Sequence, residues 1–139
     1  MSDLPRNTHW LRSAYFGECP NTASPVTLSL VNNRVERCDL YFNHYYGSLN
    51  TPLSLSLYNN LFRGGGLLFR YYTGTAHPLW EVHDNFFDGT SLTCSGDANW
   101  DTYINQSHNG FTGSAAPLNG SNNKEYVTAN YQAGPLGTT

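Results

Sequence analysis

Leu53, Leu55 and Leu57 alternate with Ser54, Ser56 and Tyr58, the period-2 pattern of a strand with one buried face. The pair Asn59-Asn60 stops that strand. A second alternation follows: Phe62, a Gly64-Gly65-Gly66 link, then Leu67 and Phe69 two residues apart. The stretch from Leu53 to Phe69 therefore predicts strand, asparagine corner, strand, and the same order recurs along the chain. Registered on the second asparagine, corners fall at Asn33, Asn60, Asn85 and Asn109, offset by 27, 25 and 24 residues. Two columns precede the corner, Leu28, Leu55, Trp80, Ile104 and Leu30, Leu57, Val82, Gln106, with only Gln106 out of character. Val35, Phe62, Phe87 and Phe111 stand two residues past it. Seven and nine past it stand Leu40, Leu67, Leu92, Ala116 and Phe42, Phe69, Cys94, Leu118.

A repeat of this length is short for a propeller blade, whose period is about 40 to 50 residues. No ten-residue stretch carries apolar residues at i, i+3, i+4 and i+7, which argues against helical repeats. The pattern suits one coil of a parallel β-helix, in which successive coils stack at about 4.8 Å and each column becomes a ladder through the core. The corner needs a residue tolerant of the left-handed region, for which Asn is the best choice after Gly, so the ladder asparagines Asn33, Asn60, Asn85 and Asn109 are expected there. Their stacked side chains can also hydrogen-bond along the column.

In chain order, residues 1–25 form a degenerate coil, with Leu11, Ala14 and Phe16 laid on Leu30, Asn33 and Val35. Regular coils occupy 26–126, with Asn43 to Asn50 and Arg70 to Gly74 as outer loops. An incomplete coil, 127–139, has Val127 in the place of Leu57 and Asn130 at its corner. The whole is one domain.

Asn59-Asn60-Leu61-Phe62 and Asp84-Asn85-Phe86-Phe87, each set between an apolar strand and a glycine with a second apolar strand beyond, carry a resemblance. From Val26 to Leu118 the chain resembles the right-handed parallel β-helix repeats of pectate-lyase-like extracellular proteins. The tail from Asn130 to Gly137 is similar to the end of a coil in large secreted bacterial repeat proteins of that type. The resemblance implies an all-β fold, a single-stranded right-handed parallel β-helix (solenoid) of about four to five coils of 24–27 residues. It also implies a scaffold at the cell surface or outside the cell that touches polysaccharide. The alternative it offers is a polysaccharide lyase or glycoside hydrolase.

Composition changes the picture at three points. Charged residues are 12% of the 139 positions, well under the usual share of about 25%, as suits stacked β-structure rich in Asn, Ser, Thr, Gly and Tyr. Lys124 is the only lysine and the net charge is −3, so there is no basic stripe and no nucleic-acid partner is expected. The start, MSDLPRNTHW, lacks a positive region followed by an apolar run, and no 18-residue apolar run is present to span a membrane. The chain is therefore expected to be a piece of a longer exported protein, whose partners are adjoining coils or other copies joined end to end.

Four groups carry candidate chemistry. Asp97, Asn99 and Asp101 have the 1-3-5 spacing that starts a calcium loop, but Thr102 and His108 stand where an EF-hand needs Gly and Glu. No cofactor is otherwise implied; calcium is the one candidate. The column before the corner, Asn32, Asn59, Asp84 and His108, shares the inward side with Leu57 and Val82 by strand alternation, and would bury an Asp84–His108 pair. Outward, the columns Ser29, Ser56, Glu81, Asn105 and Val31, Tyr58, His83, Ser107 make a polar strip. In it Tyr58, Glu81, His83 and Asn105 are the candidate ligand-binding residues, and Glu81 and His83 the catalytic candidates. Glycoside hydrolysis wants two carboxylates about 5 to 9.5 Å apart, and only Glu81 stands in these columns. Finally, Tyr41, Tyr45, Tyr46, Tyr71, Tyr72 and Trp100 fall on outward positions or loops, where aromatic faces bind sugars or partners. Of the cysteines, Cys94 falls in a core column, whereas Cys19 and Cys38 are free to pair or not.

Overall fold

The computed structural model describes residues 13–16, 26–44, 53–71, 80–96, 100–112 and 120–128. These hold ten strands: β1 Ser13–Phe16, β2 Val26–Val31, β3 Arg34–His44, β4 Leu53–Tyr58, β5 Leu61–Tyr71, β6 Trp80–His83, β7 Phe86–Asp88, β8 Ser91–Gly96, β9 Ile104–Ser107 and β10 Gly110–Phe111. One 3-10 turn, Trp100–Tyr103, precedes β9. The fold is all-β, and every strand pairing among the described residues is parallel. One sheet runs β1-β3-β5-β7-β10 with β8 also on β5, and the other runs β2-β4-β6-β9. From β2 to β7 the chain alternates between the sheets, so each strand lies beside the one two places on.

The registers are those of the apolar columns. Leu30 partners Leu57, Leu57 partners Val82, and Val82 partners Gln106. Across the corner Val35, Phe62, Phe87 and Phe111 follow one another, then Leu40, Leu67, Leu92 and Phe42, Phe69, Cys94. Leu55, Leu57, Trp80, Val82 and Ile104 meet Phe62, Leu67, Phe69, Phe87 and Phe111 in one core. Parallel registry puts like on like: the Phe62 and Phe87 ring centroids are 5.2 Å apart, Phe87 and Phe111 5.0 Å, Phe42 and Phe69 5.5 Å, all stacked. Burial of each ring contributes about 1.5–3 kcal/mol, and each ring pair adds roughly 0.5–1.5 kcal/mol. Gln106, the one polar residue of its column, keeps its place there. It is 3% exposed and neither amide atom has a hydrogen-bond partner.

The corners divide their work between two residues. The left-handed position belongs to the first of each pair, Asn32 (φ 59°), Asn59 (52°), Asp84 (58°) and His108 (57°), and not to the ladder asparagine that was expected to hold it. A left-handed residue reverses the strand alternation, so the first residue points to solvent and the second points in. Asn32, Asn59, Asp84 and His108 are accordingly exposed, which corrects the expectation that this column is buried. Asn60, Asn85 and Asn109 are 3%, 2% and 1% exposed. Their side chains form a directional ladder: the main-chain N–H and Nδ2 of Asn33 donate to Asn60 Oδ1, those of Asn60 to Asn85 Oδ1, and those of Asn85 to Asn109 Oδ1, over 2.9–3.2 Å. Each buried Nδ2 also donates to a strand carbonyl, of Leu30, Leu57 and Val82 in turn. The buried corner amides are thus paired where strand pairing lapses.

A second corner lies four residues further on, where Arg37 (φ 52°), Gly64 (63°) and Gly89 (58°) are all left-handed. At the neighbouring Gly65 a Cβ would lie 2.3 Å from the Cys38 carbonyl oxygen, so only glycine fits between these two backbones.

Both ends of the expected repeat shift. β1 pairs with the second half of β3, placing Ala14 on Leu40 and Phe16 on Phe42, not on Asn33 and Val35. The 26-residue offset lies between the 27 and 25 of the next strand pairings in this sheet, whereas the expected alignment needed one of 19. At the other end the ladder continues to Asn123, only 14 residues beyond Asn109, with Asn122 left-handed at φ 58°. Val127 donates its N–H to the Phe111 carbonyl and so lies past a corner, not in the column of Leu57. Asn130 lies outside the described residues. β5 also runs on through Arg70 to Tyr71, where an outer loop was expected. Among the described residues no helix is long and apolar enough to cross a membrane.

Candidate functional site

Three neighbouring strands, β4, β6 and β9, present their polar face as one strip, because parallel registry sets Ser56, Glu81 and Asn105 in one row and Tyr58, His83 and Ser107 in the next. Alternation sends Leu57, Val82 and Gln106 into the core and these six residues outward. Tyr58, at the end of β4, is 43% exposed. Its ring centroid lies 5.4 Å from that of His83, tilted by 45°. Tyr58 on one side and Ser107 on the other leave His83 only 9% exposed.

The imidazole is held at both nitrogens. His83 Nε2 lies 2.5 Å from Glu81 Oε2, and His83 Nδ1 lies 2.7 Å from Ser107 Oγ. Asn105 Nδ2 donates to the same Glu81 oxygen at 2.8 Å. Ser107 Oγ is also 3.0 Å from His108 Nδ1, and His108 Nε2 is 3.1 Å from Asn122 Nδ2. All four residues expected to bind ligand, Tyr58, Glu81, His83 and Asn105, therefore meet in one cluster. The sequence columns had also put Ser107 in the strip, but not in contact with the imidazole; that contact follows from the one-strand step between β6 and β9. Asn122 escaped the repeat pattern altogether, its only signal being a third Asn-Asn pair.

The remaining candidates separate from this cluster. Asp84 and His108 do not form the expected buried pair: both are exposed, and His108 bonds Ser107 and Asn122 instead. Asn59 Nδ2 donates to Asn32 Oδ1 at 2.6 Å on the same exposed column. For the calcium candidates, Asp97 and Asn99 lie outside the described residues and Asp101 sits in the 3-10 turn. Among the described residues no three His, Cys, Asp or Glu side chains gather as a metal site.

Tyr71 corrects the outward aromatic set. It is fully buried, stacked on Tyr103 at 5.0 Å and edge-on to Trp80 at 5.0 Å. Desolvation pushes its phenol up to about 12, with the Tyr103 charge adding to the shift. Tyr41 is half-buried, and Tyr45, Tyr46 and Tyr72 lie outside the described residues. Cys38 and Cys94 are free thiols, half-buried against the core. Burial pushes Cys94 up to about 12 and raises Cys38, the latter helped by Asp39. Past the corner, Arg63 lies 3.6 Å from both Glu36 and Asp88, and Arg34 bonds Glu36 and holds its carboxyl below the ordinary value. These ion pairs are exposed and each contributes at most about 1 kcal/mol.

No protein-family model, no curated protein and no solved structure matches the chain.

Proposed function

We propose that the chain is a right-handed parallel β-helix of four to five coils, a rigid scaffold of the cell surface or extracellular space that binds polysaccharide along the strip from Ser56 to Ser107. Support for the coil comes from the alternation of consecutive strands between two parallel sheets without helical crossovers, and from the nearly invariant right hand of parallel crossover connections. The asparagine ladder supports joining to further coils or copies at its ends. Among the described residues Asn123 Nδ2, at the far end of the ladder, is buried and has no acceptor.

One observation carries the binding function: the exposed Tyr58 ring stands beside a row of hydroxyl, carboxylate and amide groups held in fixed register. Three strands at their usual spacing span about 10 Å, the length of roughly two sugar rings. The ring supplies a stacking face, and Ser56, Glu81 and Asn105 supply hydrogen bonds at its rim. The strip holds one carboxylate, Glu81, and glycosidic cleavage by a carboxylate pair needs a second. Binding without glycosidic turnover is therefore expected. The test is a panel of plant and algal polysaccharides in affinity electrophoresis, with Tyr58→Ala losing most of the retardation. Retardation unchanged in Tyr58→Ala would refute the strip as the binding face. New reducing ends or unsaturated products abolished by Glu81→Gln would move the protein to the hydrolases or lyases.

A further inference from the structure

The hydrogen bonds around Ser107 have a direction, set from the outer end. An amide nitrogen only donates, so Asn122 Nδ2, 3.1 Å away, occupies the lone pair of His108 Nε2 and leaves the proton of the neutral ring on Nδ1. That Nδ1–H donates to Ser107 Oγ at 3.0 Å. The hydroxyl, accepting from His108, turns its own proton to His83 Nδ1 at 2.7 Å. The His83 proton then sits on Nε2 and donates to Glu81 Oε2 at 2.5 Å, while Asn105 Nδ2 donates to the same oxygen at 2.8 Å. Ser107 thus meets an imidazole lone pair, and the imidazole is oriented by a carboxylate on its far side. Activation of a serine nucleophile requires that order of groups.

We infer that Ser107 is the nucleophile of an ester-hydrolysing site, with His83 as its general base and Glu81 as the positioning residue that fixes the His83 tautomer. This activity goes beyond polysaccharide binding and does not depend on it. Ser107 Oγ bonds to the acyl carbon as its proton passes to His83 Nδ1. The carbon–oxygen bond to the alcohol breaks, and the alcohol leaves with that proton. Water then attacks the acyl-serine and gives one proton to His83, which returns it to Ser107 Oγ as the acyl–Oγ bond breaks and the carboxylic acid leaves. His108 Nδ1–H, beside Oγ, is placed to donate to the oxyanion that forms on the adjoining carbonyl oxygen. The site is bordered by polar amides, Asn105 on Glu81 and Asn122 on His108, with the Tyr58 ring beyond His83. That surrounding fits a short-chain ester of a hydroxylated alcohol, such as an O-acetylated sugar.

The whole chain, incubated with a fluorophosphonate probe and mapped by peptide mass spectrometry, is expected to carry the adduct on Ser107. Ser107→Ala abolishes it, and His83→Gln slows it by about 100-fold or more, the usual contribution of a general base. Hydrolysis of p-nitrophenyl acetate falls in parallel. Glu81→Gln lowers kcat for p-nitrophenyl acetate with KM unchanged, and Glu81→Asp, which keeps a carboxylate for His83 Nε2, restores part of the rate; a merely structural role gives neither the split nor the rescue. No adduct on Ser107 in the folded wild-type chain overturns the assignment, as does labelling at an undiminished rate in His83→Gln. Because mapping on the wild-type chain decides the point, a variant that fails to fold does not obscure it. Labelling needs no polysaccharide, so failure of glycan binding and failure of the nucleophile are read separately.

Discussion

Replacing Asn85 by alanine removes the middle rung of the ladder. The Asn85 side chain accepts from the Asn60 main-chain N–H and Nδ2, each at 3.0 Å, and donates to the Leu57 carbonyl at 2.9 Å and to Asn109 Oδ1 at 3.1 Å. Four buried hydrogen bonds at about 1 kcal/mol each give a loss of roughly 4 kcal/mol. Asn33 makes the control. Its side chain donates to the Val31 carbonyl and to Asn60 Oδ1 on an exposed end of the ladder, where water replaces both, and its main-chain bond to Asn60 survives the substitution. Asn33→Ala should therefore cost less than about 1 kcal/mol. Urea unfolding followed by tryptophan fluorescence measures both from the shift in midpoint at constant slope. Equal small losses for the two variants would refute the ladder and leave the asparagines as ordinary turn residues.

Arg37→Gly should stabilise by about 0.5–1 kcal/mol, because Arg37 stands at φ 52° in a corner otherwise filled by Gly64 and Gly89; a fall in urea midpoint would contradict this. Phe87→Ala removes the ring stacked between Phe62 and Phe111 and should cost about 3–5 kcal/mol by thermal or urea unfolding. Alkali should destabilise the fold in a defined window. Cys94 and Tyr71 ionise at ordinary values of 9.0 and 10.0 when unfolded and near 12 when folded. Their contribution is fully present below pH 9.0 and is lost as pH rises to about 12. Equilibrium unfolding at pH 8, 10 and 11.5 checks this, and stability that rises across the series would refute it.

The parallel registers of β2 to β7 were legible because inward residues repeat at nearly constant spacing, so Leu57, Val82, Phe62 and Phe87 announce their own partners. The division of labour at the corner was not. Both members of an Asn-Asn pair suit a turn, and only the backbone angle at Asn59 decides that Asn60 points inward. Arg37 hid the second corner, since the glycines that mark it at 64 and 89 have no glycine above them. A near-constant period also concealed the 14-residue step from Asn109 to Asn123, and Ala14 was misregistered because its side chain fits either the Asn33 or the Leu40 column. At the strip, the residue types were visible in sequence and the register sets Ser107 beside His83, but which imidazole nitrogen meets Ser107 and which meets Glu81 depends on side-chain rotamers that no spacing encodes.

Parallel stacking brings β2, β4, β6 and β9 into one register and so creates the strip. Ser29 and Asn105 are both exposed and lie in one row, through Ser56 and Glu81. Spin labels at these two positions, with the native cysteines replaced, measure the separation directly. Three strand spacings predict about 14 Å, and a separation beyond about 25 Å would contradict the stacked register.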